Sequence, residues 1–361
     1  LAENHVKNNG ANVITGNALA EFLGENGKLT GVKLQDGTEL QCELAVVAIG
    51  VRPNTSLAEE AGIRIGKTRG IEVNSHMQTS DPDIYAAGDC VETTHLITGE
   101  KTLAPLGDLA NLEGRVAGQN VILGNKATFP GTIKTGICKV FDYTAGSTGL
   151  SEGEARKEGS RNVIATICSG LDKPNFMGGK LVVLKMVADA ETGRILGVQG
   201  VGPGDVSKRI ATAAFAIQQK ATVSDMVNAD LPYAPPFSLA LDLLIATAHV
   251  LENKMLGRMK GISTVEVKKK IDGGEDVFFI DTRGPDEFEE MRLGIGETLI
   301  PLGALRTRLK ELPQEKDKEI IAYCKISLRG YEAACFLEAN GWSNVKVMEG
   351  GIMAWPYARE K

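Results

Sequence analysis

The sequence is poor in the residues that build metal centres and disulfide frameworks. Its four histidines (5, 76, 95, 249) show no ligand spacing, and none of its six cysteines (42, 90, 138, 168, 324, 335) forms a CxxC pair. No metal ligands and no secreted disulfide scaffold are therefore expected, and a reducing, cytoplasmic setting fits best. The formal charge of −6 argues against the concentrated basic surface of a nucleic-acid binder. No apolar run reaches the about eighteen residues of a membrane span, and the most apolar helical stretch, Ser238–Leu251, is interrupted by Asp242 and His249. There is no GxGxxG turn for a dinucleotide pyrophosphate. There is no initiating methionine and no signal peptide either. The chain opens on Leu1 inside a helical pattern and reads as cut within a domain.

What is present amounts to 361 residues, enough for two or three domains. Residues 1–54 alternate strand and turn signals: strands at Asn12–Thr15 and Lys28–Leu34, a hairpin turn at Asp36-Gly37, and a continuous apolar run, Leu44–Ile49, expected as a buried parallel strand. Residues 55–125 predict a helix at Ser56–Ala61, strands at Ile71–Val73 and Ile84–Ala87, and a helix over Ala110–Leu123. Residues 126–258 predict strands first (Arg161–Cys168, Lys180–Ala188, Ile195–Val201) and then helices (Asp205–Lys220, Phe237–Leu251), an α+β pattern. Residues 262–361 return to α/β alternation. Helices are expected at Thr264–Ile271, Pro285–Met291, Leu305–Leu312 and Arg329–Asn340, and strands at Val277–Ile280, Glu319–Tyr323 and Val345–Met348. The fold class is thus a multidomain mixture of α/β and α+β.

The strongest string in the first half is Thr79–Asp89, ending Ile84-Tyr85-Ala86-Ala87-Gly88-Asp89. Gly88 lets backbone approach a ligand, and Asp89 at a strand's C-terminal edge is placed to accept hydrogen bonds from a polyol. The helix that follows offers N–H groups and a dipole favouring negative charge. Together with Ala104-Pro105-Leu106 and Ala110-Asn111-Leu112-Glu113-Gly114-Arg115, this stretch resembles the second flavin-binding motif of the pyridine nucleotide-disulfide oxidoreductases. The resemblance implies Gly88 and Asp89 at the FAD ribitol and Leu109, Ala110 and Asn111 at the flavin ring. It also implies that Ala48–Asn54, with Gly50, ends an NAD(P)H domain (1–54) inserted before the tail of the FAD domain (55–125). The missing glycine-rich turns and the redox cysteine would lie upstream of Leu1, so weak or absent FAD binding is expected of this chain alone.

Residues 126–258 resemble the dimerisation domain of the same family, most sharply in Leu231-Pro232-Tyr233-Ala234-Pro235-Pro236-Phe237-Ser238. The string is similar to the coenzyme A-disulfide reductase and NADH oxidase/peroxidase branch. That likeness implies a homodimer in which Tyr233 reaches the partner's redox cysteine, and coenzyme A as a further candidate ligand. Coenzyme A-disulfide reductases usually carry a tyrosine pair where this chain reads Pro174-Asn175-Phe176-Met177. The substrate therefore stays open between disulfide, persulfide and polysulfide.

In the second half a strand delivers Cys324, and a helix begins five residues later. Such a loop aims backbone N–H groups of Ile326, Ser327 and Leu328 at the sulfur, and with Lys325 and Arg329 stabilises a thiolate or persulfide anion. This resembles the active loop of rhodanese domains. The supporting strings are Phe279–Arg283, Asp286-Glu287-Phe288, Ile300-Pro301-Leu302 and Met348–Trp355, and the likeness covers 262–361. The usual His-x-Pro-Gly-Ala turn is replaced by Leu293–Glu297, read as structural. A loop of six residues, Cys324 to Arg329, suits sulfur rather than a bulkier phosphate ester. The other cysteines are read as structural, Cys335 as core. The combined reading is an FAD-dependent NAD(P)H:disulfide, persulfide or polysulfide reductase with a sulfur-carrying Cys324. The alternatives are an NADH oxidase or peroxidase with an accessory rhodanese domain, and a non-redox dimeric sulfurtransferase.

Overall fold

The computed structural model describes residues 1–157 and 162–360. Two compact units emerge: one from residues 5–94 and 101–131, the other from residues 1–4, 95–100 and 132 onward.

The first unit begins with an antiparallel meander, β1 (Leu19–Glu25), β2 (Lys28–Leu34) and β3 (Glu39–Gln41). Its turns fall where sequence chemistry places them. Asn26 and Gly27 take positive φ, and Asp36 accepts a hydrogen bond from Thr38 N at the second hairpin. A second small sheet joins β4 (Ile71–Glu72), β5 (Val91–Thr94) and β6 (Lys101–Thr102). Ile63, Ile71, Val73, Met77, Val91 and Phe129 form its core. The helix Gly107–Leu123 starts one turn earlier than Ala110.

Three strand expectations fail here. Leu44–Ile49 forms no strand and is exposed, with Val46 at 84% and Ile49 at 92%. A central parallel strand needs a partner along each edge, and no described segment of the unit pairs with it. Asn12–Thr15 is irregular for the same reason. Ile84–Ala87 is reduced to one bridge, Gln78 to Tyr85.

The second unit contains two five-stranded sheets. The first has the order β7-β8-β11-β10-β9, all antiparallel: β7 (Gly136–Val140), β8 (Tyr143–Gly149), β9 (Val163–Leu171), β10 (Leu181–Asp189) and β11 (Ile195–Gly202). The expected strand at Arg161–Cys168 is β9, although Arg161 itself lies outside the described residues. Helices Val206–Gln218 and Leu243–Met255 pack on this sheet through Val206, Ile210, Leu243 and Leu244. The second helix begins at Leu243 rather than Phe237. Asp242 caps it by accepting from Leu244 N, after Pro235 and Pro236 have been taken up in a turn closed by Phe237 N on Ala234 O (2.9 Å). Buried Arg209 ties Asp242 (3.2 and 2.8 Å) to the carbonyls of Asp205 and Asp172 (both 2.8 Å), so this buried charge is paired and hydrogen-bonded.

The second sheet is parallel, in the order β12-β16-β15-β13-β14: β12 (Gly261–Ile262), β13 (Phe278–Asp281), β14 (Thr298–Leu299), β15 (Ile320–Tyr323) and β16 (Val345–Met348). Every residue of β15 is buried, and alternate residues serve two cores. Ile320 and Ala322 face one, Ile321 and Tyr323 the other, as period-2 side chains in a doubly covered sheet require. The helix Thr264–Asp272 opens on a Ser263/Glu266 capping box. Leu305–Leu312 is no α-helix. It forms two 3₁₀ turns, Leu302–Thr307 and Leu309–Glu311, in which the leucines at 302, 305, 309 and 312 line one side.

Candidate sulfur-transfer site

Cys324 follows β15 at the C-terminal edge of the parallel sheet and is 1% exposed. The loop after it is bent by Ser327 in the left-handed conformation (φ 72°), whose hydroxyl donates to Met348 O. The carbonyls of Cys324 and Lys325 turn away from the loop centre and accept from Ile352 N (3.0 Å) and Met353 N (3.2 Å). Gly351 makes that approach possible: at its φ of 61° a Cβ would lie 2.4 Å from Cys324 O. With the carbonyls facing outward, the backbone N–H groups of residues 325–330 have no acceptor among the described residues. They frame a cup at the start of the helix Leu328–Ala339.

Arg329 completes the cup. Its guanidinium gives Glu287 two hydrogen bonds, 2.6 and 2.8 Å. Those bonds hold the Glu287 carboxyl down at about 2, and Glu287 raises Arg329 in return. Glu287 also accepts from Gly284 N and gives its carbonyl to Arg283, which forms a buried pair with Asp281. A positively charged fork is therefore fixed beside the Cys324 loop by a chain of satisfied bonds. Lys325 is exposed, while Ile326 and Leu328 are 39% and 60% exposed at the rim. In the sequence Glu287 shows its role only as a carboxylate in the first turn of a short helix opened by Pro285. The Leu293–Glu297 turn is held by the Glu297 carboxylate, which accepts from the N–H groups of Leu293, Gly294 and Ile295. Cys335 corrects the core expectation. The helix buries Gly330, Ala333, Ala334 and Leu337, and Cys335 falls on the other, exposed face.

A seam joins the two sheets of this unit. Glu349, one residue after β16, is 4% exposed, and burial pushes its carboxyl up. Its Oε1 lies 2.5 Å from Lys254 Nζ, and its Oε2 accepts from Ile167 N at 3.2 Å; Lys254 also donates to Ala165 O at 2.8 Å. The ion pair thus satisfies the free edge of β9.

In the first unit, Gly88 (φ 90°) and Ala110 are brought together: a Cβ on Gly88 would sit 3.5 Å from that of Ala110. Gly88 N donates to Glu113, whose carboxyl is raised by burial. Asp89 is exposed beside them, whereas Asn111 is tied back to Gly107 O at 2.7 Å. A glycine at the approach, an open carboxylate and a helix start are the donors and acceptors a flavin nucleotide needs, so the residues fit FAD. Gly50 stands apart on the exposed stretch, with nothing within 4 Å of a Cβ there. In the second unit, Tyr233 is 54% exposed on the irregular segment before the turn at Pro235–Phe237, and Phe237 is 71% exposed. Among the described residues no helix is long and apolar enough to cross a membrane.

Family models match three stretches of the chain. Residues 1–105 match the pyridine nucleotide-disulphide oxidoreductases, 135–244 match the dimerisation domain of that family, and 263–357 match the rhodanese-like domain. The chain belongs to the pyridine nucleotide-disulfide oxidoreductases, a family that uses FAD and NAD(P)H, and ends in a rhodanese-like domain. It is similar to the NAD(P)H sulfur oxidoreductase (CoA-dependent) of Pyrococcus furiosus, 43% identical over 219 residues, which are 61% of this chain and 49% of that protein. Among solved structures it is similar to a NAD-dependent persulfide reductase from A. fulgidus (TM-score 0.91, 41% identity, 98% of this chain and 63% of that one). It is also similar to the reduced CoADR-RHD of Bacillus anthracis (TM-score 0.88, 32% identity, 98% and 62%). The chain spans about half the length of the curated relatives it matches.

Proposed function

We propose that this chain works in an FAD-dependent NAD(P)H:disulfide, persulfide or polysulfide reductase, with Cys324 as carrier of sulfane sulfur. The observation that carries the reading is the run of N–H groups at residues 325–330, without an acceptor among the described residues, directly after a cysteine at a strand's C-terminal edge and beside the Arg329–Glu287 pair. The Cys324 thiolate attacks the outer sulfur of a donor. A new S–S bond forms, the donor's own S–S bond breaks, and its electron pair leaves with the remainder, as sulfite from thiosulfate or thiolate from an organic persulfide. The resulting persulfide anion rests on the N–H groups of 325–330 and on the Arg329 fork, where fixed donors meet charge without reorganising. Lys325 at the rim draws anionic donors in.

FAD, when bound, supplies the two-electron relay between a nicotinamide and a disulfide or persulfide. Asp89 would hold its polyol chain, Gly88 would admit its close approach to the backbone, and Leu109–Asn111, just inside the helix that starts at Gly107, would face its electron-rich ring. Gly50 belongs to the reading as the end of the nicotinamide domain. The domain limits proposed are 1–54, 55–125, 126–258 and 262–361. The exposed Tyr233 and Phe237 suit a homodimer through 126–258, and the named relatives support a small sulfur substrate, with coenzyme A as a further ligand. Placing the carrier on the same chain raises its effective concentration at the reducing site. Cys324→Ser is expected to abolish sulfur transfer from thiosulfate to cyanide; undiminished transfer removes Cys324 from the role.

A further inference from the structure

Between β9 and the sulfur loop the second unit holds a cavity of about 270 Å³. Ile326–Leu328 of the loop form one wall, Ile167 and Ser169 of β9 another, and Leu243 and Val250 of the helix Leu243–Met255 a third. Among the described residues no lysine, arginine or histidine lines it. Glu349 reaches it, but that carboxylate is already matched by Lys254 and Ile167 N. Asn253 and Tyr331 add polar side chains to the lining, and among its fully buried side-chain polar atoms in the described residues one is left over: the Ser169 hydroxyl, in a residue 3% exposed, has no hydrogen-bond partner. A buried hydroxyl without a partner costs stability, and its place on the wall of an apolar cavity marks a space shaped to be filled.

We propose that this cavity binds the aliphatic body of an organic persulfide or thiol while its sulfur reaches the Cys324 loop. The proposal rests on the carrier role of Cys324. The chemistry of the walls selects the class. An anion such as thiosulfate or a nucleotide phosphate finds no cation here, whereas a hydrocarbon chain finds leucine, isoleucine and valine and offers a polar atom, if it has one, to Ser169. The volume sits at the lower edge of ordinary ligand pockets, about 300–1,000 Å³, and suits a chain rather than a whole nucleotide. The transfer served is R–S–SH plus the Cys324 thiolate giving the Cys324 persulfide anion and R–SH. The donor S–S bond breaks, the new one forms, the proton passes to the departing thiolate, and no external oxidant or reductant takes part.

The test loads sulfur onto the whole chain from ethyl, butyl and hexyl persulfide, with thiosulfate as reference and cyanide as acceptor. Loading efficiency is expected to rise about fourfold per added methylene until the cavity is full, the worth of burying one such group. Ser169→Leu, and Ala246→Leu from the helix wall, fill the space. Each is expected to lower the hexyl-to-thiosulfate ratio by about tenfold or more, the worth of two buried methylenes. A flat length series in the unaltered chain overturns the proposal even if a variant does not fold, and so does an unchanged ratio in a folded variant. Both results leave the carrier role standing. Failure of every donor, thiosulfate included, to load Cys324 overturns the carrier role and this proposal together.

Discussion

Lys254 and Glu349 meet at 2.5 Å across the boundary between the antiparallel sheet's last helix and the rhodanese-like domain. The neighbours of Glu349 in sequence hold the sulfur loop: Met348 O accepts from Ser327, and Gly351 admits the Cys324 carbonyl. The seam that joins the two sheets therefore also braces the loop.

Removing one partner of this pair leaves a buried charge unmatched. Lys254→Met is expected to destabilise the chain by about 3–5 kcal/mol, read as a lower thermal midpoint. The double variant Lys254→Met/Glu349→Leu is expected to recover most of that loss, because two apolar side chains leave no buried charge behind.

Arg329 is expected to act through its fork. Arg329→Ala should lower sulfur transfer on the order of a hundredfold, the usual cost of one fixed donor to a developing anion. Arg329→Lys keeps the charge but cannot bind Glu287 through two parallel bonds, so it should recover only part of the rate. Steady-state rates with a saturating donor measure both.

Glu287 makes the site acid-sensitive with a defined sign. Its folded value, about 2, lies below its ordinary 4.5, so the stabilising contribution is complete above the ordinary value and is lost as pH falls between the two. Unfolding followed over that window should show an acid-dependent loss that Glu287→Gln lacks. Equal acid sensitivity in the two proteins would contradict the assignment.

Gly351 occupies a backbone conformation (φ 61°) that side chains avoid, with a Cβ position 2.4 Å from Cys324 O. Gly351→Ala is expected to cost about 1–3 kcal/mol in strain. Because the strain falls on the loop carbonyls, transfer should fall as well, which the same thermal and rate measurements resolve.

How much of this was legible in the sequence follows from what each segment depends on. Val345–Met348 was legible to the residue and Ile320–Tyr323 to within one, because short apolar runs flanked by helical signals have a place in a sheet covered on both faces. The cysteine loop was legible because its chemistry is local in sequence. The hairpin β7–β8 was missed: its turn runs through Phe141 at φ 54°, a residue that carries no turn signal. Leu44–Ile49 has the composition of a buried strand, yet burial needs neighbours that pattern alone cannot supply. The partners Glu287, Lys254 and Glu349 were invisible as a set, since the seam pair is separated by 95 residues and only the fold brings it together. Ser169 was unreadable for a related reason, because an unpaired hydroxyl shows itself only once its surroundings are known.

The central claim is that Cys324 holds sulfur in the cup of N–H groups. The most direct measurement is mass spectrometry of the peptide containing Cys324 after brief exposure of the chain to thiosulfate, followed by alkylation. The account predicts that this peptide gains the mass of one sulfur atom and that the exposed Cys138 and Cys335 do not. Sulfur spread evenly over all three cysteines, or absent from Cys324, contradicts it.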